Sequence, residues 1–341
     1  MKQVCIAADA AELPRILVRQ SQPHRSSRAA RRCACIAALR LVVGVLPGSA
    51  LAELSASPTQ TIALDRFDHA RKIAHLPNGI DLGYVDLGPR QGTPIVFLHG
   101  YVDSARAWVP LLPQLPRDRR LLIVDLRGSG ISSKPDCCYS RFDLAYDVRL
   151  LLDALHVPEA DIVGHSLGSI VAQTFAETWP ERTHRLVLVS STGGARAGCT
   201  ASTAASTSVA MRAAIAQLSD PIDPESTFIR DWFASPAPVD PEFLRRQRRD
   251  AAATPTRVWL ALIDQGIANV DGLQGMLPRI QAPTLLVWGG KDPIMGEGDR
   301  CALKEALPGA QVHVFTDLGH NPFEEDPAAF GAVLDPFLAA P

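Results

Sequence analysis

The chain has 341 residues, 47% hydrophobic and 21% charged, enough for one sizeable α/β domain with or without an insertion. A net charge of −2 gives no footprint for nucleic acid or an acidic surface, and no Cys/His cluster has metal-ligand spacing. These figures set aside nucleic-acid and zinc-module readings and leave the composition of a globular protein.

The first 52 residues stand apart: they hold eight of the 34 Lys/Arg and two of the 36 acids, so the remainder carries a net −8. Arg25, Arg28, Arg31 and Arg32 precede an apolar stretch over 33–46, and Ala50-Leu51-Ala52 follows. That is the basic, apolar and A-x-A layout of a secretory signal, with cleavage expected after Ala52 and the mature chain exported. A mitochondrial transit peptide and a basic tail on a cytoplasmic protein are the alternatives. An integral membrane anchor is not expected, because the stretch is short and Arg40 interrupts it. Export permits disulfides among Cys137, Cys138, Cys199 and Cys301, with three connectivities open. Neighbouring Cys137 and Cys138 are not expected to bond each other in an ordinary backbone.

Residues 53–66 read as a linker. Stretches 71–76 and 80–85 flank Pro77-Asn78-Gly79, a hairpin signal. Residues 94–98 are a continuous apolar run, the mark of a strand buried on both faces, and it ends at His99-Gly100-Tyr101. A second such strand spans 121–124. An amphipathic helix is expected over 144–155, a strand over 160–163, a helix over 167–178 and a strand over 186–189. From 194 to 275 the grammar changes to Ala/Ser/Thr-rich sequence and then helical tendency broken by prolines, which reads as an inserted helical cap. Strands return at 284–288 and 312–315, with helices at 299–307 and 328–338. Buried strands alternating with helices predict a mostly parallel sheet flanked by helices, its core built from 67–193 and 276–341.

Chemistry concentrates in Gly164-His165-Ser166-Leu167-Gly168, a G-x-S-x-G between an expected strand and an expected helix. Strand, sharp turn and helix is the setting of a nucleophile elbow. A serine hydroxyl needs a base to take its proton, and the base needs a third group to fix its tautomer. In parallel sheets such groups gather at the carboxyl ends of strands. Asp292 follows the strand ending at 288, whereas the strand ending at 189 offers only Ser190, Ser191 and Thr192. His320 follows the last strand. The expected triad is Ser166, Asp292 and His320, with an oxyanion hole from the N–H groups of Tyr101 and Leu167. Expected pocket residues are His99, Trp108, Trp232, Phe233 and Trp259, each of which suits ordinary packing as well. The run Arg245 to Arg249 reads as a solvated helix face, with a funnel for acidic substrates as the alternative.

The stretches FLHGY (97–101), DLRGSGIS (125–132), GHSLGS (164–169), LLVWGGKDPI (285–294) and LGHNPFEEDP (318–327) resemble the α/β-hydrolase superfamily. The resemblance is to its capped serine-hydrolase branch of carboxylesterases, enol-lactonases, cofactor-free haloperoxidases and C–C bond hydrolases. It implies the α/β-hydrolase fold and the triad over nearly all of 70–341, without fixing the substrate. Dehalogenases and epoxide hydrolases of this fold use an aspartate nucleophile, and position 166 is Ser. Ser169 stands where that family often has glycine. The expected activity is cleavage of a carboxylic ester or lactone through an acyl-enzyme on Ser166, with no metal or organic cofactor. C–C hydrolysis of a dienoic keto-acid or perhydrolysis by the same triad, and a non-catalytic ligand-binding module, are the alternatives. Oligomeric state is left open.

Overall fold

Eight strands form one sheet: β1 (Arg71–His75), β2 (Asp81–Leu87), β3 (Ile95–Leu98), β4 (Leu121–Val124), β5 (Ala160–His165), β6 (Thr183–Val189), β7 (Thr284–Gly289) and β8 (Gln311–Phe315). The computed structural model describes residues 58–340 apart from 195, 236 and 268–276, so the expected export signal lies outside the described residues. The strand order is β1-β2-β4-β3-β5-β6-β7-β8. β1 pairs antiparallel with β2 through the expected hairpin, β2 pairs antiparallel with β4, and all later pairings are parallel.

The continuous apolar runs have a direct cause: alternate residues of each strand feed two cores, one on each face of the sheet. Val96 and Leu98 of β3, and Leu122 and Val124 of β4, join the larger core; Ile95, Phe97, Leu121 and Ile123 join the other. Helices cover both faces. In chain order they are α1 (Pro58–His69), α2 (Arg141–Ala154), α3 (Leu167–Thr178), α4 (Thr203–Ile215), α5 (Thr227–Trp232), α6 (Pro241–Ala252), α7 (Thr256–Ala261), α8 (Glu297–Ala306), α9 (Pro322–Glu325) and α10 (Pro327–Ala339). A Ser140–Asp143 capping box starts α2, each side chain satisfying the other's backbone N–H. Helices α4 to α7 all lie in the insertion between β6 and β7. Among the described residues, no helix is long and apolar enough to cross a membrane.

Two expectations are corrected. The stretch read as a linker over 53–66 contributes its described part to α1, whose Leu64 and Phe67 are buried. The helix carries little apolar periodicity and is held by distant partners, Asp65 and Asp68 pairing with Arg246 of α6. Cys137 and Cys138 are bonded to each other. Cys138 has φ of +73°, so the backbone there is not the ordinary one that the expectation assumed. The other pair, Cys199–Cys301, has a Cα–Cα distance of 5.8 Å and ties the segment before α4 to α8.

Candidate active site

The strand order reverses direction at β3, whose neighbours are β4 on one side and β5 on the other. Such a switch point opens a crevice at the carboxyl ends of parallel strands. A cavity of about 610 Å³ lies there, lined by Gly100 and Tyr101 after β3, Ser166 and Leu167 after β5, and His320 after β8. That volume is within the range of small-molecule sites.

Ser166 sits at φ +50° and ψ −117°, a conformation that a non-glycine residue adopts only when its surroundings over-determine it. The turn is closed by Ser166 N–H donating to Val189 O at 2.9 Å. Its flanks need glycine for space: a Cβ on Gly168 would collide with the carbonyl oxygens of Leu98 and His99, and one on Gly164 with that of Gly168. Ser169 is fully buried; its Oγ donates to Ser166 O at 2.5 Å and lies 2.6 Å from Ser191 Oγ. The hydroxyl is thereby satisfied inside the elbow, which explains how a serine fits there. Leu167 begins α3, where the first N–H groups have no acceptor within the helix.

His320 Nδ1 is 2.8 Å from Asp292 Oδ2. The other Asp292 oxygen accepts from Ile294 N–H at 2.8 Å and Met295 N–H at 3.0 Å. Burial by itself would raise the Asp292 carboxyl; His320 and the two N–H donors outweigh it and hold the group below the usual carboxylate range. The carboxylate partner of His320 is therefore charged, and it fixes which ring nitrogen faces the cavity.

Several residues that sequence reasoning missed hold the His320 loop. Glu325 accepts from Gly319 N–H at 2.6 Å and from Asn321 N–H at 3.1 Å, one on each side of His320. Ser190 Oγ donates to His320 O at 2.8 Å, and His165 Nε2 lies 3.0 Å from the same oxygen. Burial first, then the neighbouring His320, push His165 well below the ordinary histidine range, so it is a neutral Nε2–H donor. The acid-rich run after His320 was the one available signal for Glu325.

The expected pocket residues divide. Trp232 and Phe233 line the cavity, as does Met211 of α4. Trp108, His99 and Trp259 are corrections: none of them lines it. Trp108 is fully buried, stacked on Phe323 with ring centroids 4.2 Å apart. The segment Ala105–Gln114 forms a 3₁₀ helix that turns this ring under the sheet, away from the loop it follows. His99 Nδ1 bonds Gly100 O at 2.8 Å, and its Nε2 accepts from Leu126 N–H at 3.0 Å, so both ring nitrogens are spent on loop backbone. Trp259 is buried against Tyr101, whose hydroxyl donates to Trp259 O at 2.7 Å. Three arginines of the run are committed internally, Arg245 and Arg246 binding Glu242 and Arg248 reaching Glu225 at 3.4 Å, while Arg249 is exposed. Cys199, Cys301 and Glu305 bring three potential metal-ligand atoms together, but the two sulfurs are joined in a disulfide.

A family model described as the alpha/beta hydrolase family matches residues 95–333. The chain belongs to the α/β-hydrolase family, and its sheet, flanking helices and switch-point cavity are that fold. It is 30% identical over 260 residues to 2-hydroxymuconate semialdehyde hydrolase from Pseudomonas sp. (strain CF600), covering 73% of this chain and 87% of the relative. Among solved structures it resembles a hydrolase from Pseudomonas aeruginosa PA01, with TM-score 0.68, 27% identity and coverage of 79% of this chain and 98% of the other. It also resembles an esterase from Rhodococcus sp. ECU1013, with TM-score 0.63, 25% identity and coverage of 80% and 99%.

Proposed function

We propose that this protein is a serine hydrolase cleaving a carboxylic ester or lactone through an acyl-enzyme on Ser166. The observation that carries the reading is the convergence of Ser166, in its strained turn, and His320, backed by charged Asp292, on one cavity. His320 Nε2 takes the Ser166 proton as Oγ attacks the substrate carbonyl. Asp292 holds the imidazolium, and the N–H groups of Leu167 and Tyr101 receive the oxyanion. His320 then protonates the leaving alcohol. Water, activated by the same nitrogen, releases the acid and restores Ser166.

The insertion acts as a cap: Met211, Trp232 and Phe233 supply an apolar wall for the acyl or alcohol group. C–C hydrolysis is the second reading, favoured by the relative that acts as a 2-hydroxymuconate semialdehyde hydrolase. A keto-acid needs a cation for its carboxylate. Lys291 is the Lys or Arg among the described lining residues, and its Nζ is 3.0 Å from Asp317 Oδ1. Asp103, Asp231 and Glu325 line the same space, which favours a neutral ester over an acid.

A panel of p-nitrophenyl esters from acetate to palmitate, run beside a fluorophosphonate probe on wild type and Ser166→Ala, tests the proposal. Serine-dependent turnover with labelling is expected. Labelling without ester turnover moves the reading to C–C cleavage, and neither signal removes the nucleophile.

A further inference from the structure

Helix α6 meets the core through a buried amide as well as through Asp250. Gln247 is 1% exposed, and its Nε2 donates to Asp103 Oδ1 at 3.2 Å, to Asp103 Oδ2 at 3.1 Å and to Glu324 Oε1 at 3.0 Å. Asp103 lies two residues after Tyr101, and Glu324 four residues after His320. One amide of the insertion therefore joins the loop of the proposed oxyanion donor to the loop of the proposed base.

Two carboxyls sharing one nitrogen at such distances are on the order of 6 Å apart or less, where like charges disfavour each other's ionisation. Both are buried. The charged groups facing them are few. Arg106, in the 3₁₀ segment, faces Asp103 but is committed to Asp68 and Asp250. Asp250 of α6 adds repulsion at Asp103, and Glu325 of α9 adds it at Glu324. Asp103 also accepts from Ser104 N–H at 2.8 Å. The other amide atom, Gln247 Oε1, is buried with no hydrogen-bond partner among the described residues.

We propose that Asp103 and Glu324 share one proton, and that Gln247 bound to this half-ionised pair is the positioning device that sets the Tyr101 and His320 loops relative to each other. The proposal rests on the hydrolase reading for its effect on turnover. Burial is the first cause that raises both carboxyls above the usual carboxylate range. The pair titrates as a unit. It binds its proton more tightly folded than unfolded, so the stability it gives is complete at low pH and is lost as pH rises through the raised value. Beyond that point two adjacent buried charges push the loops apart, with two amide hydrogens to hold them.

The test reads structure and turnover separately on the full chain. Amide exchange, corrected for intrinsic rates, is followed over 99–104 and 241–252 from about pH 6 to about pH 10, beside kcat/KM on a p-nitrophenyl ester. In wild type, exchange at both segments should rise at least about ten-fold across the alkaline range. The kcat/KM should fall about ten-fold per pH unit over the same interval. Glu324→Gln keeps the hydrogen-bonding shape with no proton to lose, so both alkaline limbs should move up by more than about one unit. Asp103→Asn removes the other charge and should move the exchange limb likewise, which keeps the test open if Glu324→Gln does not fold. Superimposable exchange profiles for wild type and the folded variants overturn the shared proton. Moved exchange limbs with no esterase activity in any protein support the acid pair while removing the ester-hydrolase reading.

Discussion

On the strand-end side of the cavity, Ser166 is closed by its bond to Val189 O, and His320 is fixed by Ser190, His165 and the backbone contacts of Glu325. On the inserted side, α6 is fixed largely by charge: Asp250 binds Arg106 and Arg71 at 2.9 Å each, and Arg246 binds Asp65 and Asp68. Chain connectivity accounts for the difference. The loop of Ser166 grows directly from the buried strand β5 and that of His320 from the edge strand β8, and the strand backbones set their position within a few residues. The insertion has no strand in the sheet and must be docked by side chains.

The largest effects should fall on the strand-end side. Ser166→Ala and His320→Ala should each lower kcat on the order of a million-fold, as the members of a serine triad act as one unit. The urea midpoint of Ser166→Ala should stay close to wild type, whereas His320→Ala should lower it by taking a partner from the buried Asp292 carboxylate. Asp292→Asn should lower kcat roughly ten-thousand-fold by presenting the wrong imidazole tautomer. A loss under about a hundred-fold there would mean that Asp292 holds the loop through Ile294 and Met295 but does not orient His320.

The next effect belongs to the inserted side and is one of stability. Asp250→Asn removes the charge shared by Arg106, Arg71 and the Ser104 hydroxyl. Breaking a buried pair while leaving its cations in place costs about 3–5 kcal/mol, read as a shift of the denaturant midpoint. Exchange should rise first over 241–252 and in α1. A uniform rise across the sheet would show that the insertion and the core unfold together, and the two-sided picture would fail.

The same division governs what the sequence could say. Runs 94–98 and 121–124 were legible because burial on both faces leaves an unbroken apolar word, and the residues that follow such a run must lie at the sheet's carboxyl edge. Ser166 was read from the G-x-S-x-G between a strand and a helix and His320 from its place after the last strand, and the structure brings both to one cavity. The α1 helix was not legible, since Asp65 and Asp68 gain their role from Arg246, far along the chain. Gln247 was hidden for the same reason, its partners lying 144 and 77 residues away. Trp108 was misplaced because nearness in sequence to Tyr101 says nothing about which face a 3₁₀ turn presents. The vicinal Cys137–Cys138 bond depends on a positive φ at Cys138 that no residue pattern announces.

The smallest effect probes the seam between the two sides. Tyr101 stands on the strand-end loop, yet its ring meets Trp232 and Trp259 edge-on with centroids 5.8 Å apart, and its hydroxyl donates to Trp259 O. Burial pushes that hydroxyl well above the ordinary tyrosine range, so it stays protonated as a donor. Tyr101→Phe keeps the ring contacts and the backbone N–H while removing one hydrogen bond, at a cost of about 1 kcal/mol in the urea midpoint with an unchanged slope. Because the N–H is the group proposed to meet the oxyanion, kcat/KM should fall far less than in Asp292→Asn. A loss in kcat of more than about a hundred-fold at constant KM would place the hydroxyl itself in the reaction. The seam would then be part of the catalytic machinery, and the insertion would act on the chemistry through Trp259 instead of only shaping the pocket.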